Sequence, residues 1–368
     1  MINHYKIKFA LPKIGFIVLG WVIAGSFFVF SEYFGIIHFS IPLNINYNIE
    51  YNFAEQLITT IITAIVGAAI IGSIEVFYLR DRLRKRSLGS IILIKSLFYT
   101  ISMFLLITIG TFFYHSFFTG KFFWDSIVVG KVTKHLFSHS FWVQISGWGV
   151  VIVITNFVLQ VSDKFGQGVL LDYVRGKYHH PKEEERVFMF LDLKSSTTIA
   201  ESLGHEKYFE FINDYFNDIT DPIIFSRGEI YQYIGDEVVV SWKIGNGIHN
   251  NNCINCFFDI EFEIHQLRSN YLSKYGIVPE FKAGLHIGKA IVGEVGVIKK
   301  EIVFSGDVLN TTSRIQSKCN DYNVKILTSE DIIAKLHLSP TYKALEIGEV
   351  TLRGKQTPTH LYSIEKSG

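Results

Sequence analysis

RVFMFLDLKSSTT, residues 186–198, sets an apolar run that ends at Asp192 and is followed, after Leu193 and Lys194, by four small hydroxyl side chains. The run is short, rich in Val and Phe and bounded by charges, which reads as a buried strand over 186–191. Behind it, IAESLGHEKYFEFINDYFNDITDPII keeps a helical period. Thr198 and Glu201 stand at capping-box spacing, so the helix is predicted to start near Thr198. A strand turning into a helix presents a carboxylate and free backbone N–H groups at one point. Such a turn, here carrying Ser195, Ser196 and Thr197, can hold a cation and a phosphate side by side.

Working outward, GEIYQYIGDEVVVSWKI (228–244) reads as two strands around a Gly235-Asp236 hairpin turn. Alone, that dipeptide is a turn. Beside Asp192 on a neighbouring strand, Asp236 could share one or two Mg²⁺ ions, which prefer a few carboxylates together with substrate phosphates. A helix over about 251–274 precedes FKAGLHIGKAIVGEVG (281–296), where Gly288 and Gly293 allow a tight hairpin and close backbone approach. SGDVLNTTSRIQ (305–316) opens a further helix with Asn310 and Arg314 on one face at i, i+4. A planar Arg beside an Asn suits the spread charge of a phosphoryl transition state. The tail, LEIGEVTLRGKQTPTHLYSIE, is a strand pair with Arg353 and Lys355 near its turn. The order β-α-β-β-α-β with extra strands predicts an α+β, ferredoxin-like sheet with helices on one face.

These segments, in this order, resemble the class III nucleotidyl (adenylate/guanylate) cyclase catalytic domain over residues 186–366. The resemblance implies a head-to-tail homodimer with active sites at the interface. It implies that Asp192 and Asp236 hold two divalent ions, Mg²⁺ or Mn²⁺, with the Leu193 carbonyl lending a further ligand. Asn310 and Arg314 of the other protomer would orient the ribose and stabilise the transition state, and Arg353 would contact the terminal phosphates. The implied reaction is attack of the ribose 3′-oxygen on the α-phosphorus, releasing pyrophosphate and a 3′,5′-cyclic nucleotide. Base choice departs from the family pattern. Adenylyl cyclases usually carry Lys, and Asp or Thr, where this chain has Gln232 and Val303; guanylyl cyclases carry Glu and Cys. A glutamine amide can pair with adenine or, flipped, with guanine, whereas valine reads nothing by hydrogen bonding. ATP is the expected substrate, with GTP or a pyrimidine triphosphate as the alternative. Competing readings are a catalytically inactive cyclase-like signalling module and a channel or transporter with a nucleotide-sensing tail. A diguanylate cyclase is disfavoured because no GG[DE]EF stands at the hairpin.

The first half of the chain is of another kind. Of the 368 residues 48% are hydrophobic and only 19% charged, and most of the long uncharged runs precede residue 165. Four segments reach the roughly 20 apolar residues that a bilayer demands, at about 14–34, 54–79, 90–118 and 140–161. Together they predict a four-helix transmembrane domain over 1–161, in an inner or plasma membrane. Lys6, Lys8 and Lys13 precede the first span, the 35–53 loop has no Lys or Arg, and RDRLRKR (80–86) follows the second, so both termini are expected on the cytoplasmic side. Glu75 and Lys95 are expected to snorkel to the interface. The small residues Gly67, Ala68, Ala69, Gly72 and Ser73 serve either packing within one bundle or dimerisation. Residues 162–185 read as a connector with a helix over Val169–Arg175, in which adjacent His179 and His180 diverge too far to share a metal. Cys253, Cys256 and Cys319 all lie in the polar half and read as reduced cytosolic thiols. A net charge of +1 argues against a nucleic-acid partner.

Overall fold

Strand β1 runs from Lys182 to Leu193 and so begins four residues before the apolar stretch that predicts it. Glu183, Glu184 and Glu185 join it because β4 (Phe281–Val295) is longer still and pairs antiparallel from Lys182↔Val292 to Leu193↔Phe281. A continuous ladder partner satisfies those backbone groups whatever the side-chain charge. Chain elements are described here, from a computed structural model, for residues 2–39, 53–83, 86–165, 172, 175–298 and 300–367. Most of the 35–53 loop, Arg84 and Lys85 of the basic cluster, and most of the expected connector helix lie outside them.

The remaining strands are β2 (Glu229–Ile234), β3 (Glu237–Lys243), β5 (Glu301–Ser305), β6 (Ile326–Ser329), β7 (Tyr342–Val350) and β8 (Thr359–Lys366). Their order is β2-β3-β1-β4-β6-β8-β7, with β5 folded back on β4. Among the described strands, only β4 and β6 pair in parallel. Alternation along β1 divides the two faces. Val187, Met189, Leu191 and Leu193 point into the main core, beneath helices that include Phe211, Ile219, Phe257 and Ile260. Phe188 and Phe190 point the other way, against Val308.

Three expectations are corrected here. The helix after β1 starts at Ser196, not Thr198; Ser195 is its N-cap at φ 56°, and no capping box forms. It ends at Leu203 and, across Gly204 (φ 73°), a second helix runs from His205 to Phe225. Gly288 and Gly293 make no hairpin, because both lie within β4, Gly288 paired with Arg186 of β1 and Gly293 with Val303 of β5; the reversal comes after Val295, between β4 and β5. The predicted close approach does occur at Gly288, where a Cβ would lie 3.1 Å from Val308, whereas one on Gly293 would meet Pro181 at an ordinary 3.4 Å. Finally, the helices do not share one face. The helix Asp307–Lys318 lies on the Phe188 side, so close to β4 that a Cβ on Gly284 would come within 2.3 Å of the Gln316 nitrogen.

Residues Met1–Phe165 form a separate compact unit. Its long helices are α1 (Ile2–Phe39), α2 (Phe53–Ile74), α3 (Leu88–Thr119) and α5 (His139–Phe165), and a shorter α4 (Ser126–Leu136) lies between the last two. The next helices in chain order are α6 (Ser196–Leu203), α7 (His205–Phe225), α8 (Asn252–Gln266), α9 (Arg268–Tyr275) and α10 (Asp307–Lys318). Four of the first five are long and apolar enough to cross a membrane. α5 reaches Phe165, so the first residues assigned to the connector continue the fourth helix. Trp21, Ala64, Ala68, Met103 and Trp148 form the centre of this unit. The small residues of α2 are used inside it, where a Cβ on Gly67 would lie 3.3 Å from Leu106 and one on Gly72 3.4 Å from Ile14.

Glu75 and Lys95 do not snorkel. Glu75 opens a π-helical turn (Glu75–Leu79), and its carboxylate accepts from the Lys95 ammonium and the Tyr99 hydroxyl, with Lys95 only 3% exposed. Beside them Asn156 Nδ2 donates to Ser96 Oγ at 3.1 Å. The extra residue in a π turn re-aims the side chain inward, and a paired ammonium tolerates an apolar bundle that a lone one does not.

Candidate active site

Asp192 occupies the next-to-last position of β1, where the β1–β3 ladder sets it opposite Glu237. Asp236 precedes Glu237 in the two-residue turn between β2 and β3, closed by Ile234↔Glu237. Gly235 takes φ 64° there, a conformation glycine adopts without strain. Thus three carboxyl groups meet at one sheet edge. Asp192 Oδ2 accepts from Gln316 Nε2 at 2.8 Å and lies 3.3 Å from Lys282 Nζ. Even so, burial and then the charge of Asp236 push its pKa above the usual carboxylate range. Burial, then Asp192 and Asp236, push Glu237 up to about 7. Tyr215 lies in the same field: its hydroxyl is fully buried without a hydrogen-bond partner among the described residues, and burial first, then Asp192 and Asp236, raise its pKa.

A cluster that resists its own ionisation is suited to a divalent cation, which removes the repulsion and favours hard oxygen donors. Among the described residues, however, no group of three His, Cys, Asp or Glu forms a ready metal cage. Protein carboxylates here would leave coordination positions for backbone and substrate oxygens.

Ser195, Ser196 and Thr197 follow at the β1–α6 turn. Ser195 and Thr197 are exposed, and Ser196 hydrogen-bonds Tyr208. Next to them a cavity of about 270 Å³ is lined by Lys194, Ser195, Lys282, Asn320 and Asn323, a set rich in donors and free of acids.

Asn310 and Arg314 sit on a different side. At about 100° per residue, Gln316 lies some 200° around α10 from Arg314. The face that carries Gln316 to Asp192 therefore turns Asn310 and Arg314 away from it, and Asn310 is exposed. Arg314 instead adjoins the turn that carries Arg353: a Cβ on Gly354 (φ 74°) would lie 3.5 Å from its Nη2. Lys355 in that turn is bonded to Asp307 at the start of α10. The sequence neighbours of Gln232 and Val303 meet, since Phe304 N donates to Tyr231 Oη at 3.3 Å. The structure thus places Asp192 near Asp236, and Arg314 beside the turn that carries Arg353, within one chain.

Glu237, Lys282, Gln316 and Tyr215 are absent from the sequence-based site. Glu237 was readable as the neighbour of Asp236. The others depend on strand register and helix packing, for which no local motif exists.

The profile of the family described as "Adenylate and Guanylate cyclase catalytic domain" matches residues 179–366, just over half the chain. The chain belongs to that family. The cyclase domain is 35% identical over 199 residues to adenylate cyclase 2 of Rhizobium meliloti (strain 1021), covering 54% of this chain and 55% of the relative. It is 27% identical over 184 residues to human retinal guanylyl cyclase 2, covering 49% of this chain and 16% of the relative. The chain therefore spans about half or less of these curated relatives. A solved bacterial light-regulated adenylyl cyclase superposes with a TM-score of 0.51 at 20% identity, over 60% of this chain and 65% of that one, a likeness of fold. Class III cyclases generally use divalent metals, in keeping with the carboxylate corner.

Proposed function

We propose that this chain is a membrane-bound adenylate cyclase acting as a homodimer, converting ATP to 3′,5′-cyclic AMP and pyrophosphate. The observation that carries the reading is the convergence of Asp192, Asp236 and Glu237 beside a donor-lined cavity. Asp192 and Asp236, with the Leu193 carbonyl, would hold two Mg²⁺ or Mn²⁺ ions. When bound, these supply charge neutralisation at the α-phosphate and a lower pKa for the ribose 3′-hydroxyl. The chain's own groups do the rest. The α6 N-terminus with Ser195, Ser196 and Thr197, and the ammonium groups of Lys194 and Lys282, receive phosphate oxygens. Asn310 and Arg314 turn away from the metal corner of their own chain, which favours their completing the site of a second protomer, with Arg353 on the terminal phosphates. Arg314 there meets the charge that develops in the transition state.

Gln232 is exposed and Val303 offers no hydrogen bond, which favours relaxed base selection, so a GTP activity is the second reading. The membrane unit would hold the cyclase at an inner or plasma membrane with both termini cytoplasmic. The test is to assay cyclic products from each of the four triphosphates on the full chain, for wild type, Asp192→Ala and Arg314→Ala. Cyclic AMP should dominate and each variant should lose at least about 100-fold. Co-expressing the two inactive variants should restore activity, because one site of the heterodimer is intact. Predominant cyclic GMP overturns the substrate, persistence in Asp192→Ala the metal assignment, and failure to complement the shared site.

A further inference from the structure

The stretch between α3 and α5 contains α4, a helix of 11 residues. At 1.5 Å per residue it is about 16 Å long, roughly half a hydrocarbon core, so it does not span. It is firmly built all the same. Asp125 caps it by accepting from Ile127 N at 2.8 Å, and Val128 and Val132, one turn apart, are buried. Around that anchored face the side chains are open. Phe117, Phe122, Trp124 and Phe137 are 83, 71, 78 and 82% exposed, and Phe122 stacks on Trp124 with ring centroids 5.4 Å apart. Lys121, Lys131 and Lys134 are interleaved with them and also exposed. The lone acid between residues 120 and 138 is Asp125, occupied by the helix cap and by Lys121 at 3.5 Å.

A patch of large rings this open calls for a cover. Its position says which. The apolar window of α3 ends at Thr119 and that of α5 begins at Phe141, so α4 and its flanks lie where the apolar slab stops. Aromatic rings and lysines are favoured at that depth, the rings at the acyl boundary and the ammonium groups among phosphates. We propose that α4 and its flanking rings form an interfacial site for anionic phospholipid headgroups, with Lys121, Lys131 and Lys134 on the phosphates and Trp124 seated at the acyl boundary. The proposal rests on the membrane reading of the first unit and is independent of the cyclase chemistry.

The test uses the full chain in nanodiscs of phosphatidylcholine with a fraction of phosphatidylglycerol. The fluorescence difference between wild type and Trp124→Phe isolates one indole. It should be quenched by lipids brominated near the glycerol end and shielded from acrylamide. Lipid retained on the repurified protein should be enriched in phosphatidylglycerol about threefold over the bulk, fading in 1 M salt, where screening is about 3 Å. The Lys121→Gln, Lys131→Gln, Lys134→Gln triple variant should fall to the bulk ratio, and the matching Arg triple should keep the enrichment. An indole quenched by acrylamide and untouched by brominated lipid overturns the proposal, as does enrichment that survives the Gln triple. A chain stripped from vesicles by alkaline carbonate instead overturns the membrane reading itself.

Discussion

Replacing Glu237 by Gln should flatten the pH dependence of the catalytic unit's stability. In the metal-free fold, burial and the charges of Asp192 and Asp236 raise Glu237 from an ordinary 4.5 to about 7. The folded state therefore holds this proton more tightly than the unfolded chain does. The resulting stabilisation is fully present below pH 4.5 and is lost as pH rises through 7. At full strength the shift corresponds to about 3 kcal/mol. The side chain stays partly open to water, and screening reduces this to about 1–2 kcal/mol. For a unit of this size that is roughly 2–8 °C in unfolding temperature between pH 5 and 8. Asp192 is shifted in the same direction, so the variant should keep a shallower slope. Cys253, Cys256 and Cys319 are all buried in this unit and absent from the membrane unit, so their exposure to a thiol reagent reports its unfolding within the full chain. Each reading is normalised to unfolded chain at the same pH. Added Mg²⁺ or Mn²⁺ should stabilise wild type most at pH 8, where the carboxylates are ionised. A Glu237→Gln variant with the wild-type slope, or a wild type indifferent to divalent ions at pH 8, would refute the account of the carboxylate corner.

Other outcomes follow from particular contacts. Gly284→Ala should cost about 1–3 kcal/mol and lower turnover, because the new Cβ meets the α10 backbone at Gln316 rather than a movable side chain; thermal unfolding and a cyclase assay check it. Lys95→Met should destabilise the membrane unit by about 3–5 kcal/mol by stranding the Glu75 carboxylate, whereas Glu75→Leu with Lys95→Met should recover most of it; unfolding in detergent decides, and equal loss in single and double variants would disprove the pairing. Gln316→Leu should weaken divalent-ion affinity by removing the 2.8 Å donor to Asp192, read as a rise of several-fold in the metal concentration for half-maximal turnover.

Much of the catalytic half was legible in order. The short apolar run of β1, the Gly235-Asp236 turn and the i, i+4 pair on α10 are local signals, and each falls within the element its pattern predicts. What misled was also local. Thr198 and Glu201 have capping-box spacing, yet the chain reaches the helix two residues earlier through a left-handed Ser195. Gly288 and Gly293 look like hairpin residues, but β4 runs on through both, paired with β1 at Gly288 and with β5 at Gly293, and the missing side chain of Gly288 admits α10. Glu75 and Lys95 lie near span ends, where snorkelling is the default, and only the π turn and the approach of α3 pair them inside.

By itself the sequence determined that an apolar half precedes a strand-and-helix half bearing two aspartates, an Asn and an Arg, since composition and short-period patterns are written residue by residue. Tertiary structure alone decided that Lys282 and Gln316 brace one of the aspartates, and that Asn310 and Arg314 turn their backs on it. Those relations depend on strand register and on the rotation of a helix against a sheet. Both are fixed by packing between segments up to 124 residues apart, and no neighbouring residue encodes them.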